Sequence, residues 1–90
     1  MIRQLCFDAG EIRHVQLKVK NITGKDFTIS SAQCELFNKY EEKREVLTCY
    51  IDNHIIDTII SVPKAGYYEL KYIYKIQDET LVDVIEIRVN

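Results

Sequence analysis

Apolar side chains recur at every second position through most of this 90-residue chain. That is the period of a strand with one buried face and one wet face. In residues 12–20, Val15, Leu17 and Val19 point one way and His14, Gln16, Lys18 and Lys20 the other. In residues 55–62, Ile56, Thr58, Ile60 and Val62 share one face, and Ile55, Asp57 and Ile59 share the opposite one. Near the end, Ile85, Ile87 and Val89 alternate with Glu86 and Arg88, which excludes a terminal helix. Seven strand-like segments emerge, at residues 2–7, 12–20, 27–37, 46–52, 55–62, 67–76 and 81–89. Turn residues separate them at 8–11, 21–26, 52–54 and 77–80. Pro63 ends the fifth segment, because proline cannot donate to a central ladder. Short strands at this spacing predict an all-β sandwich of about seven antiparallel strands, folded as a single domain over residues 1–90.

One segment breaks its own alternation. Phe27 and Ile29 are odd-numbered, whereas Ala32, Cys34 and Leu36 are even-numbered. A bulge near Ser30 and Ser31 restores a common buried face, because one extra residue inverts the parity. Residues 38–45 are polar with mixed charge, and like charges four apart (Glu41 with Glu45, Lys39 with Lys43) disfavour a helical turn there. An exposed hairpin loop is expected instead.

Composition agrees with strands. The chain holds 13 Ile and 7 Val but only 3 Ala, and branched side chains suit a pleated surface better than a helix. Its net charge is -2 and its 12 basic residues are scattered, so no nucleic-acid partner is expected. No apolar run matches a secretion signal or a membrane span. The expectation is a complete, soluble, cytoplasmic gene product without a membrane role.

Candidate chemistry is sparse. Cys6, Cys34 and Cys49 are odd in number and widely spaced, and the expected state is buried, reduced thiols. No close Cys or His pair suggests zinc. Glycines 10, 24 and 66 are too far apart for a phosphate loop, and the acidic residues lack calcium-loop spacing. His14 and His54 fall on an exposed face and in a loop, with no serine in a nucleophile turn. The triplet Asn21-Ile22-Thr23 fits a glycosylation acceptor by chance alone. No enzyme activity, cofactor or metal is therefore expected.

The stretch from Lys64 to Tyr74 is the most distinctive. Ala65-Gly66 forms a small-residue corner, followed by Tyr68, Leu70, Tyr72 and Tyr74 on one face with Ile76. These belong in the core, whereas Tyr67 and Ile73 project from the other face beside Glu69, Lys71 and Lys75. Tyr67, Ile73, Ile55 and Ile59 are the candidate interaction surface. Ile55, Ile59 and Ile73 are expected to form an apolar patch on one sheet.

The alternating strands, the Ala65-Gly66-x-Tyr68 corner and the final hairpin resemble a small bacterial or phage immunoglobulin-like domain. In such sandwiches a tyrosine near the start of strand F bonds back to upstream backbone, and a disulfide cysteine follows two residues later. Here Leu70 stands at that second position. The likeness is to short proteins encoded among tail and baseplate genes of phages and prophages of low-GC Gram-positive bacteria. It implies a non-enzymatic structural role through contact with other protein subunits, either copies of itself or a virion partner. The alternative is a small carbohydrate- or ligand-binding module using exposed tyrosines or the loops at 21–26, 53–54 and 77–80.

Overall fold

Alternating side chains force each segment into a strand, because only a pleated ribbon buries every second residue on one side. The structure, a computed structural model, describes residues 3–20 and 26–90. Within them lie β1 (Arg3–Phe7), β2 (Ile12–Lys18), β3 (Ile29–Asn38), β4 (Lys43–Leu47), β5 (Cys49–Asp52), β6 (Ile55–Ser61), β7 (Gly66–Ile76) and β8 (Glu79–Val89). No helix forms among the described residues. One sheet has five strands in the order β1-β8-β7-β3-β4, and the other has three in the order β2-β6-β5. The expected turn at residues 21–26 and the Asn21 triplet lie outside the described residues, apart from Asp26.

The inward rows of both sheets meet in one core. Cys34, Leu36, Tyr68, Leu70, Tyr72, Tyr74, Ile85 and Ile87 come from the larger sheet; Val15, Leu17, Ile56 and Ile60 come from the smaller. Ile56, Thr58, Ile60 and Val62 are buried as their parity required, and Ile55 and Ile59 face out. The parity break in β3 is a bulge: its register against β7 shifts between Ile29 and Ser31. Ile29 is thereby buried on the same face as Cys34 and Leu36. Eleven residues at about 3.3 Å each make β7 and β8 roughly 36 Å long, which accounts for most of the 41 Å long dimension of the molecule.

Three expectations are corrected. The segment 46–52 is two strands, which makes eight among the described residues where about seven were expected: Leu47 pairs with Cys34 in the larger sheet, and Cys49 pairs with Thr58 in the smaller. Thr48 alone carries the chain between sheets, and its carbonyl accepts the Thr58 hydroxyl at 2.8 Å. The strands are not all antiparallel either, since β1 runs parallel to β8 with Leu5 opposite Ile87. Lastly, Cys6 is exposed and Cys49 half-buried, so only Cys34 is a fully buried thiol. Cys6 lies opposite Arg88 on the outer face, because Phe7 takes the inward position beside Val89.

The expected loop at 38–45 shrinks to residues 39–42, because β4 pairs with β3 from Lys43 onward. Asn38 closes it by accepting backbone N–H groups of Tyr40 and Glu41 at 3.0 and 3.1 Å. At the next corner, Gly66 adopts φ +150°, and a Cβ there would sit 3.6–3.7 Å from the rings of Tyr40 and Tyr68. Conformation rather than space reserves this position for glycine.

Leu70→Ala should cost about 2–5 kcal/mol in urea unfolding, because its side chain is wholly enclosed. Tyr68→Phe should cost about 0.5–1.5 kcal/mol through loss of its bond to the Lys64 carbonyl. A neutral Leu70→Ala would mean that β7 presents its other face to the core.

Candidate interaction surface

The inward tyrosines of β7 are committed to structure. Tyr68 donates its hydroxyl to the Lys64 carbonyl at 2.9 Å, Tyr72 to the Val15 carbonyl at 2.8 Å and Tyr74 to Asp83 Oδ2 at 2.6 Å. Burial raises the pKa of all three hydroxyls. Tyr74 is pushed up to about 12, with the Asp83 carboxylate adding to the effect of burial. None of these rings is available for stacking on a ligand.

The four surface candidates do not form one patch. Tyr67 and Ile73 lie on β7 in the five-stranded sheet, whereas Ile55 and Ile59 lie on β6 in the three-stranded sheet. Each pair points away from the shared core, so the two pairs occupy opposite outer faces. The expected patch of Ile55, Ile59 and Ile73 on one sheet is overturned by this topology. On the smaller sheet Asp57 separates Ile55 from Ile59, and His14 Nδ1 bonds Asp57 Oδ2 at 3.0 Å. Exposed Ile12 and Tyr50 share this face, and the polar Asp57, Gln16 and His14 break up its apolar surface.

The larger face is better organised. Ile73 is paired with Val82, and Lys71 beside it with Val84, so three aliphatic side chains adjoin. Val82 and Val84 are 55% and 41% exposed, although Ile85, Ile87 and Val89 on the same strand are buried. Val46 adds a further exposed aliphatic across the sheet, in line with Glu35, Lys71 and Val84. Sequence reasoning missed these valines. Their even numbering against the odd-numbered buried residues of β8 was the available signal.

Charges fill the next rows. Lys39 Nζ lies 3.5 Å from both Glu69 and Glu86 carboxylates, Arg44 lies 3.6 Å from Glu35, and Arg44 also covers the Phe37 ring. Such exposed pairs add little stability but give the face a fixed charge pattern. Tyr67 lies beyond them, tilted against Tyr40 with ring centroids 6.4 Å apart. Tyr67 and Ile73 are six positions apart, or roughly 20 Å along the strand. The face thus has an aromatic end, a charged middle and an aliphatic end.

An open cleft of about 340 Å³ lies at one end of the sandwich, between the β3–β4 turn and the chain leading into β7. Lys64 Nζ crosses it to Glu41 Oε1 at 2.7 Å. This pairing holds the Glu41 carboxyl below its usual range and raises the Lys64 ammonium. The turns at 53–54 and 77–78 belong to the other end, because Ile55 opposes Lys18 there and Ile76 opposes Ile29. His54 stacks on Phe27 at that end, with centroids 4.0 Å apart.

Among the described residues, no group of three or more His, Cys, Asp and Glu side chains could hold a metal ion. They include no helix long and apolar enough to cross a membrane. No protein-family model matches the chain, and no curated protein matches it significantly.

The buried tyrosines make a pH prediction. Their folded pKa lies above the ordinary 10.0, so the folded chain holds these protons more tightly than the unfolded one. Their contribution to stability is complete below pH 10 and is lost as the pH rises toward 12. Tyrosinate absorbance should therefore show Tyr72 and Tyr74 ionising together with loss of the circular-dichroism signal. Full ionisation of all six tyrosines in a still-folded protein would contradict their placement.

Proposed function

We propose that the protein is a non-enzymatic immunoglobulin-like module that works by protein–protein contact, as a structural component of a phage or prophage tail or baseplate. The fold part of this reading is supported by strand order. The β2-β6-β5 sheet corresponds to strands B, E and D of immunoglobulin domains, and β8-β7-β3-β4 corresponds to G, F and C with an added C′. The Tyr68 bond to Lys64, four residues upstream, matches the tyrosine corner at the start of strand F. The chain departs from that scheme in β1, which leaves the B–E–D sheet and lies parallel to the last strand.

The contact part rests on one observation: Ile73, Val82 and Val84 adjoin on the outer face of the larger sheet, next to a patterned row of charges. Apolar side chains grouped on a face, with charges that set orientation, suit a subunit contact better than a small-molecule site. The virion assignment follows from the resemblance to tail and baseplate domains. A part of that kind assembles in the cytoplasm, where thiols stay reduced. A second reading, a carbohydrate- or ligand-binding module, is favoured by the end cleft and its Lys64–Glu41 pair.

The protein should self-associate or be recovered in a stable complex with a tail protein from induced lysogens. The double variant Val82→Lys/Val84→Glu should weaken that association at least about tenfold while changing stability by no more than about 0.5 kcal/mol. A monomer at high concentration with no partner recovered would overturn the contact reading. Chemical-shift changes around the cleft with a glycan panel would favour the second reading, and their absence would remove it.

A further inference from the structure

The crossing of the chain from one sheet to the other at Thr48 brings two cysteines together. Leu47, the last residue of β4, is the register partner of Cys34. Cys49 opens β5 two positions later, with its side chain directed back into the same interior, opposite the buried Thr58. Strands β3 and β5 share no ladder, yet their Cα atoms approach within 8 Å. The Cys49 thiol donates to the carbonyl of Ala32 at 3.4 Å, two residues before Cys34 in β3. Cys34 faces the same interior and has no exposed surface. Two cysteines that stand 15 positions apart in sequence are thus neighbours across the sandwich.

Their surroundings differ in a useful way. Cys34 is completely enclosed, and its burial and the neighbouring Cys49 push its thiol pKa up. Cys49 is half-buried, so a reagent reaches it first. Cys6 does not compete: β1 is three strands away from β3 in the larger sheet, and the side chain lies on the outer face. No third ligand of metal-binding type joins the pair among the described residues.

We propose that Cys34 and Cys49 form a disulfide between the two sheets when the folded protein meets a low-molecular-weight disulfide such as oxidised glutathione. The Cys49 thiolate attacks one glutathione sulfur, breaking that S–S bond and releasing one glutathione thiolate. Cys34 then loses its proton and attacks the Cys49 sulfur of the mixed disulfide, releasing the second glutathione. The two protein thiols give up two protons and two electrons, and one glutathione disulfide becomes two thiols. The product ties β3 to β5 beside the Thr48 crossing. In a reducing compartment the bond stays open, and on transfer to an oxidising one it closes. This inference does not depend on the proposed function.

The test uses the full chain carrying Cys6→Ser, incubated folded with oxidised glutathione, quenched in acid, alkylated in denaturant and weighed intact. The expected product has lost about 2 Da, carries no alkyl group and melts more than about 5 °C higher. Digestion at Lys39, Lys43 and Arg44, which lie between the cysteines, should yield one cross-linked peptide pair that reductant separates. Cys49→Ser in the same background should leave Cys34 fully alkylated. A glutathione adduct that persists on Cys49 with Cys34 free would overturn the proposal. So would two alkylated thiols after prolonged oxidation of a protein whose circular dichroism shows it folded.

Discussion

The hydroxyl of Tyr72 donates to the carbonyl of Val15 from inside the core, reaching from the larger sheet to the smaller. A tyrosine with no exposed surface needs a partner for its oxygen, because an unpaired buried hydroxyl costs about 1–3 kcal/mol. The bond therefore fixes how β7 and β2 sit across from each other. On the proposed immunoglobulin-like reading these two strands are F and B, the pair that a disulfide links in antibody domains. The neighbours along β7 follow the same rule: Tyr68 and Tyr74 each bury a ring and satisfy a hydroxyl at its rim. Among the described residues, no buried side-chain nitrogen or oxygen lacks a partner.

That commitment decides where function can reside. With Tyr68, Tyr72 and Tyr74 taken by the core, the outward residues of β7 and β8 supply the larger exposed face. Its aliphatic group and the glutamates of its charged rows are placed by strand register. A face patterned in this way is what the proposed subunit contact would use. The Cys34–Cys49 pair adds a second property of the same scaffold. Under the proposed virion role, that pair would add a tie between the sheets on passage from a reducing to an oxidising compartment.

Much of the fold was legible because it depends on parity. The inward rows of β2, β6 and β7 follow from alternation alone, and the change from odd Ile29 to even Cys34 located the bulge. The split of residues 46–52 was hidden because Leu47, Cys49 and Ile51 keep one parity through Thr48, and neither Gly nor Pro marks the change of sheet. The parallel pairing of β1 with β8 joins the two ends of the chain, a long-range contact that leaves no local trace. The surface was half legible. Tyr67 and Ile73 were correctly turned outward, but grouping Ile73 with Ile55 and Ile59 needed knowledge of which sheet β6 joins. Val82 and Val84 were masked by their resemblance to the core residues that follow them.

The most direct check of this account is the stability of Tyr72→Phe against urea, compared with that of the unaltered protein. Removing one oxygen from an enclosed ring should cost at least about 1 kcal/mol, because the tie to Val15 is lost and water cannot replace it. An unchanged unfolding midpoint would show that the hydroxyl does not bridge the sheets, and the placement of β7 over β2 would fall with it.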